Sequence, residues 1–232
     1  MTYANIFLKD LKKFKNKKAL ILENGQAITY NQLNSEAESL SKKLPAKKKL
    51  IFLLAENNFE TIVGYISFVK KGFSVAILDS KINNFFLKNL IKLYKPSYIF
   101  CSNKKKMTLK KFKITAKYKS FILNQNLNKK EYKINKDLML LMSTSGTTGS
   151  PKFVRQSYTS VAANTKSIVK YLKINNKDVT ITSLPFSYVY GLSVINSHLY
   201  SGSTIILTNR SIIEKEFWNV IKKFNVKNVS GI

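Results

Sequence analysis

The sequence predicts an α/β fold with parallel β-sheets that are covered by helices. Two short runs, KLIFLLAE and FSVAIL, are almost purely apolar and have the length of buried strands. Amphipathic stretches with apolar residues at helical spacing lie between such runs. This alternation is typical of parallel strands joined by helical crossovers that cover both faces of the sheet.

The first predicted elements are a hairpin and a helix. Two apolar runs flank Asn24-Gly25, a pair suited to a two-residue turn in which both positions need positive φ. Thr29 fits a helix N-cap, and Gln32 three residues later completes a capping box. Pro45 ends the helix. Its apolar residues recur at helical spacing: Leu33, Ala37, Leu40 and Leu44.

Helices and strands then alternate along the rest of the chain. A second helix has an apolar face of Phe59, Ile62, Ile66 and Val69 and ends at Gly72. Further helices are predicted over 83–94, over 161–172 with Leu172 on the buried face, after Gly191, and over 212–224. Further strands are predicted at 97–100, 138–142, 179–182, 203–207 and 226–231. The lysine-rich stretch 102–136 is weakly periodic and predicts short strands near the surface.

The charge is strongly positive, with 40 Lys+Arg against 12 Asp+Glu and a formal net charge of +28. Such an excess is typical of proteins that bind nucleic acid or anionic membranes. Only Arg155 and Arg210 are arginines, however, and proteins that recognise phosphate geometry favour the arginine fork. Codon bias toward A/T explains most of the lysine excess. We therefore predict no specific nucleic-acid partner, and keep a basic nucleic-acid-binding protein as the third hypothesis.

Other features predict a cytoplasmic protein without a transmembrane segment. No apolar run approaches the ~20 residues that a membrane-spanning helix needs. The lysines near the start follow the few apolar residues, which is the reverse of a secretory signal. Cys101 is the only cysteine, so no internal disulfide is possible, and we expect it in the core. His198, the only histidine, is expected to pack rather than to catalyse.

The stretch STSGTTGSPK, Ser143–Lys152, follows a predicted strand directly. Its glycines let backbone amides approach an anion, and its hydroxyls and lysine add donors and positive charge. Ligands of doubly wound sheets bind beyond the carboxyl ends of strands, where this stretch lies. Its spacing excludes the Walker A loop. Composition alone leaves two interpretations open, a plain flexible loop and a loop that binds phosphate.

The string TSGTTGSPK resembles the signature loop of the adenylate-forming enzymes, which include acyl- and aryl-CoA synthetases, firefly luciferase and nonribosomal peptide adenylation domains. All nine positions from Thr144 to Lys152 fit that pattern. The stretch LPFSYVYGLS resembles the family's second signature, in which an aromatic residue, often His, stands three residues before a glycine. Tyr188 and Gly191 take those places here. The order of the earlier elements agrees, and the resemblance implies the helix-covered parallel sheets of the family's large N-terminal domain.

The resemblance implies a two-step reaction. A carboxylic acid reacts with ATP to form an acyl-adenylate, and the acyl group passes to the thiol of coenzyme A or of an acyl carrier protein. ATP, Mg²⁺ and coenzyme A are the implied cofactors, and Lys152 is the implied catalytic residue. The implied ATP-binding residues are Thr144, Ser145, Gly146, Thr147, Thr148, Gly149 and Lys152. Tyr188 and Gly191 are assigned to the substrate pocket, and no residue is assigned to a metal.

The substrate is expected to lack an α-amine. Amino-acid-activating relatives usually place Asp directly after the aromatic residue, where this chain has Val189. An unpaired ammonium in an apolar pocket is costly, so we expect a fatty, aryl or short acyl acid.

Complete family members continue with a Glu motif and a small C-terminal domain that carries a lysine for adenylation. These are absent from residues 1–232, which we interpret as an incomplete N-terminal AMP-binding domain that is inactive by itself. A naturally short, inactive nucleotide-binding or interaction module is the second hypothesis.

Overall fold

The computed structural model describes residues 11, 13–105, 111–128, 132–143 and 152–231. The strands are β1 (Lys18–Ile21), β2 (Ala27–Thr29), β3 (Leu50–Ala55), β4 (Ser74–Asp79), β5 (Tyr98–Ser102), β6 (Phe112–Tyr118), β7 (Phe121–Asn126), β8 (Leu138–Ser143), β9 (Phe153–Ser157), β10 (Val179–Ile181), β11 (Thr204–Ile206) and β12 (Asn228–Val229). The helices are α1 (Tyr30–Lys42), α2 (Phe59–Lys70), α3 (Asn84–Tyr94), α4 (Tyr158–Leu172), α5 (Val189–Ser201) and α6 (Lys215–Phe224).

These strands form two mixed sheets: antiparallel hairpins complete their parallel central strands at every edge except that of β12, which pairs with β10 in parallel. The order is β12-β10-β11-β1-β2 in the five-stranded sheet and β6-β7-β5-β3-β4-β8-β9 in the seven-stranded sheet. The central pairs β3–β4, β3–β5 and β4–β8 are parallel, as predicted. Antiparallel strands complete the edges at β6–β7, β8–β9 and β1–β2. The predicted α/β fold is confirmed, and both sheets are mixed because hairpins finish them.

Strand β3 shows how the core is divided. Successive side chains of a strand point to opposite faces. Ile51 and Leu53 therefore join the central core, to which α1, α2, α4 and α5 contribute. Phe52 and Leu54 join a second core, which Leu87 and other residues of α3 cover. All six residues of β3 are buried, which explains why its sequence is a continuous apolar run.

The β1–β2 hairpin forms, but the predicted two-residue turn was wrong. The amide of Leu22 donates to the carbonyl of Gln26 at 2.9 Å, and that of Gly25 donates to the carbonyl of Leu22 at 2.8 Å. Three residues, 23–25, therefore make the loop. Gly25 has a φ of +84°, whereas Asn24 is not among the described residues with positive φ. A three-residue loop ending in a left-handed glycine also matches the twist of the strands.

The start of α1 confirms the predicted capping box. The Thr29 hydroxyl accepts from the amide of Gln32 at 3.2 Å, and the Gln32 side chain accepts from the amide of Thr29 at 2.8 Å. These two bonds satisfy backbone donors that a helix start otherwise leaves without partners. Leu33, Ala37 and Leu40 are buried on the predicted face.

Two features near the signature stretch differ from expectation. Strand β9 was not predicted, because a helix was expected directly after the loop. Helix α4 is present, but Leu172 on its predicted buried face is 60% exposed. The buried residues of α4 are Tyr158, Val161, Ala162 and Thr165. Only the first half of the helix lies against the core. The regular spacing of apolar residues therefore predicted a longer buried face than the helix has.

Lys48 precedes β3 and contacts the segment that leads into β8, at the amino ends of these parallel strands. Its Nζ donates to the carbonyl oxygens of Lys136 at 3.2 Å and Leu138 at 2.8 Å. The same ammonium lies 4.9 Å from the ring centroid of Tyr158. Desolvation lowers the pKa of Lys48 to about 8, while the charge of Asp137 opposes this shift.

This shift predicts a pH-dependent contribution of Lys48 to stability. The ordinary lysine pKa is 10.5 and the folded value is about 8, so between these pH values the unfolded chain binds more protons at this site. The free energy of unfolding should therefore rise with pH across that window. Denaturant titrations should show wild type gaining stability relative to Lys48→Met as the pH increases. The exposed neighbour Lys47, changed to Met, should follow wild type; equal pH profiles for wild type and Lys48→Met would contradict the prediction.

Candidate active site

A pocket of about 480 Å³ lies where the β8–β9 hairpin meets α4 and α5. Ser143 ends β8, so the pocket is at the carboxyl end of a parallel strand, where ligands of α/β sheets bind. The described residues that line it are Met142, Ser143, Val154, Gln156, Asn164, Ile168, Tyr188, Val189, Tyr190 and Ser193.

The signature stretch connects the two strands that line this pocket. Residues 144–151 lie outside the described part of the chain, so the ATP-binding assignments from Thr144 to Gly149 stay predictions. The strands on either side are described. Met142 pairs with Val154, and Ser143 pairs with Phe153, in an antiparallel register. Lys152 is exposed and directly precedes β9. The chain therefore leaves β8 and returns to β9 beside the pocket.

Tyr188 lies at the N-cap position of α5 and lines the pocket. Its backbone is extended, with φ −90° and ψ 137°, and its side chain makes no capping hydrogen bond to the helix. The side chain is 41% exposed, as is that of Tyr190. Two tyrosine rings therefore border the pocket without being buried in the core. The role of Tyr188 as a substrate-pocket residue stays a prediction.

Gly191 is needed for close packing of the first turn of α5. A Cβ at this position would lie 2.2 Å from the carbonyl oxygen of Pro185 and 3.2 Å from that of Leu184. The helix therefore contacts this loop backbone to backbone, which only glycine allows. Gly191 is not among the described lining residues of the pocket. Its assignment to the substrate pocket stays a prediction.

Asn57 holds the loop before α5, a role that was not predicted from the sequence. Its Nδ2 donates to the carbonyl oxygens of Leu184 and Thr208, both at 3.2 Å. Its Oδ1 accepts from the amide of Phe186 at 2.9 Å. One side chain thus joins the end of β3 to the segment that carries Tyr188. One sequence feature could have indicated this role: a pair of asparagines follows a buried strand, and so lies at the carboxyl end of a parallel strand.

Other pocket residues were missed because they come from separate elements. Gln156 lies on β9, Asn164 and Ile168 lie on α4, and Ser193 lies in the first turns of α5. Of these four, Ser193 alone lies in the stretch LPFSYVYGLS, which also contains Tyr188.

Two residues that commonly react are buried outside the pocket. His198 on α5 shares a hydrogen bond between its Nδ1 and the carbonyl of Val194 at 2.8 Å, and burial lowers its pKa. Burial raises the pKa of the Cys101 thiol to about 12, so this cysteine stays protonated. Both positions agree with the packing roles predicted for these residues.

Neither a metal site nor a membrane span is found within the described ranges. No group of three or more His, Cys, Asp or Glu side chains there could hold a metal ion. Mg²⁺ therefore stays a prediction. No helix in the same ranges is long and apolar enough to cross a membrane.

Comparison with known proteins identifies the family. Residues 7–232 match the family model described as AMP-binding enzyme. The D-alanine–D-alanyl carrier protein ligase of Staphylococcus aureus (strain JH9) is 28% identical over 189 residues, which cover 81% of this chain and 39% of the relative. The chain therefore spans less than half the length of this curated relative.

Solved structures confirm the fold. ATP-bound MatB from Rhodopseudomonas palustris has a TM-score of 0.79 and 19% identity, covering 98% of this chain and 49% of that one. O-succinylbenzoate coenzyme A synthetase (MenE) from Bacillus subtilis, in complex with AMP, has a TM-score of 0.78 and 19% identity, covering 97% and 61%. The family match over residues 7–232 shows that the chain belongs to the AMP-binding enzymes, the adenylate-forming family that its signature stretch resembles.

Proposed function

We propose that the complete protein activates a carboxylic acid with ATP and transfers the acyl group to a thiol of coenzyme A or a carrier protein. The observation that carries this proposal is that TSGTTGSPK joins β8 to β9 along the chain, and that residues of both strands line the same pocket as Tyr188. The named relatives support it, since one is a carrier protein ligase and another is a coenzyme A synthetase. A cytoplasmic location remains part of the proposal.

In the first step, a carboxylate oxygen of the acid attacks the α-phosphorus of ATP. The bond from that phosphorus to the bridging oxygen breaks, and pyrophosphate leaves with the electron pair. Such reactions ask a protein mainly for positioning and for neutralisation of charge. The donors of residues 144–149 and the Lys152 ammonium would hold the β- and γ-phosphates. The Tyr188 ring would lie where the acid meets the adenylate. Mg²⁺, which the resemblance implies, would add to the neutralisation of the phosphate charge when bound.

The acid is proposed to lack an α-amine. Val189, which follows the aromatic residue, lines the pocket and cannot pair with an ammonium. No aspartate or glutamate stands among the described lining residues either. A charged amine would lose its hydration there without gaining an opposite charge. This chain is therefore proposed to differ in substrate from the D-alanine ligase that it resembles.

The test is acid-dependent ATP–pyrophosphate exchange by the complete protein. Lys152→Ala should slow exchange about 30-fold, because a charge-assisted hydrogen bond to phosphate contributes about 2 kcal/mol. Lys166→Ala is the matched control, since Lys166 is also exposed and is not among the residues that line the pocket. Its rate should equal that of wild type. Exchange that needs no acid, or an unchanged rate in Lys152→Ala, would contradict the proposal.

A further inference from the structure

The pocket lined by Tyr188 has an uncharged lining of apolar and neutral polar residues. Its apolar residues are Met142, Val154, Ile168 and Val189, and its polar residues are Ser143, Gln156, Asn164, Tyr188, Tyr190 and Ser193. No charged side chain lines it within the described ranges, although 22% of the chain is charged. A second pocket shows the contrast, because five lysines line it: Lys47, Lys48, Lys49, Lys95 and Lys133. The neutral lining is therefore a local property.

Two amide side chains in this lining have unused hydrogen-bonding capacity. Asn164 is exposed on α4, and its amide has no partner among the residues that the structure describes. The Gln156 oxygen accepts from the Ser160 hydroxyl at 3.2 Å, which leaves its amino group free within the same residues. The Ser193 hydroxyl, by contrast, donates to the Tyr190 carbonyl at 2.7 Å. Neutral donors and acceptors thus remain available to a ligand.

We infer that this pocket selects an aryl acid whose tail is uncharged and carries a hydroxyl or carbonyl group, and that Asn164 sets this charge preference. The inference rests on the acid activation proposed above. A second carboxylate or an ammonium on the tail would be desolvated without an opposite charge. A bare ring would make no hydrogen bond to either amide, so a ring that carries a hydroxyl or carbonyl group should bind more tightly. Asn164 offers both a donor and an acceptor, and the two tyrosine rings offer faces for an aromatic acid.

Four benzoates with different para substituents test the charge preference. They carry hydrogen, hydroxyl, carboxylate (terephthalate) or aminomethyl, and their binding to the complete protein with a non-hydrolysable ATP analogue present can be followed by ligand-observed NMR titration. We expect 4-hydroxybenzoate to bind about 10-fold more tightly than the other three, equivalent to about 1.4 kcal/mol. Tighter binding of terephthalate or of the aminomethyl acid would overturn the inference.

Charge variants at Asn164 test the assignment of the residue. Asn164→Asp should shift the preference toward the aminomethyl acid, and Asn164→Lys should shift it toward terephthalate, each by about 10-fold through a new opposite charge. Ala163 is exposed on the same helix and outside the pocket lining, so Ala163→Asp and Ala163→Lys should keep the wild-type order. An unchanged order in the Asn164 variants, or equal shifts at position 163, would overturn the assignment.

Different experimental results would contradict this inference and the proposed function. If ATP binds and none of the four acids does, the substrate inference is wrong while nucleotide binding stands. If Lys152→Ala leaves acid-dependent exchange unchanged, the proposed function is wrong whatever the order of the acids. The two results come from different variants and different measurements.

Discussion

Gly191→Ala should lower the free energy of unfolding by about 3 kcal/mol, at the upper end of the usual cost of overpacking. The added methyl carbon would lie 2.2 Å from the carbonyl oxygen of Pro185. That atom belongs to the backbone of a loop, and Asn57 holds the neighbouring residues Leu184 and Phe186 by hydrogen bonds. The loop cannot turn away as a flexible side chain could, so α5 itself must shift. Urea denaturation followed by circular dichroism measures the loss.

Two other glycines serve as controls. A Cβ at Gly231 would meet nothing within 4 Å, so Gly231→Ala should be nearly neutral. A Cβ at Gly64 would lie 2.7 Å from the ring of Phe100, a fully buried side chain that must shift to accept it, so Gly64→Ala should also be destabilising but less so than a clash with backbone. The expected order of destabilisation is therefore Gly231, Gly64, Gly191. A Gly191→Ala protein as stable as Gly231→Ala would show that the contact with Pro185 is not tight.

Phe217→Ala should cost about 4 kcal/mol, as expected for removing a fully buried aromatic ring. Phe217 is 0% exposed and is the one buried residue of α6 in the described structure. It packs against Ile21, Ile181 and Ile206 on the outer face of the five-stranded sheet. Its removal leaves α6 without its main apolar contact to the sheet. In urea denaturation, the midpoint of Phe217→Ala should therefore lie at a lower urea concentration than that of wild type.

The next residue provides the matched control. Trp218 is larger than Phe217 but is 50% exposed, and its Nε1 donates to the Ile212 carbonyl at 2.7 Å. Trp218→Ala should therefore cost about 1 kcal/mol, close to the value of one net hydrogen bond. If Trp218→Ala proved the more damaging change, the placement of α6 on the sheet would be wrong. Sequence alone does not favour Phe217, because the two aromatic residues are adjacent.

Local sequence was sufficient where an element depends on its own residues. The capping box at Thr29 and Gln32 formed as predicted because both partners lie within one helical turn. Strand β3 was recognised because burial on both faces requires a continuous apolar run. The signature stretch pointed to the family for the same reason, since its nine residues are contiguous.

Sequence was insufficient where an element depends on distant partners. Strand β9 (FVRQS) has no clear apolar alternation, and it forms because β8 supplies its hydrogen-bonding edge. The turn at Gly25 was misjudged because two loop lengths suit the same dipeptide. The pocket residues Gln156 and Asn164 come from different elements, so no spacing along the chain connects them to Tyr188.

The amino-acid sequence by itself determined the alternating order of strands and helices, the capped start of α1 and membership of the AMP-binding enzymes. Each of these depends on contacts or patterns within a short segment. Only the tertiary structure decided which side chains share the neutral pocket and which glycine must remain without a side chain. Those properties arise where segments far apart in the chain pack together, and close packing tolerates no added atom there.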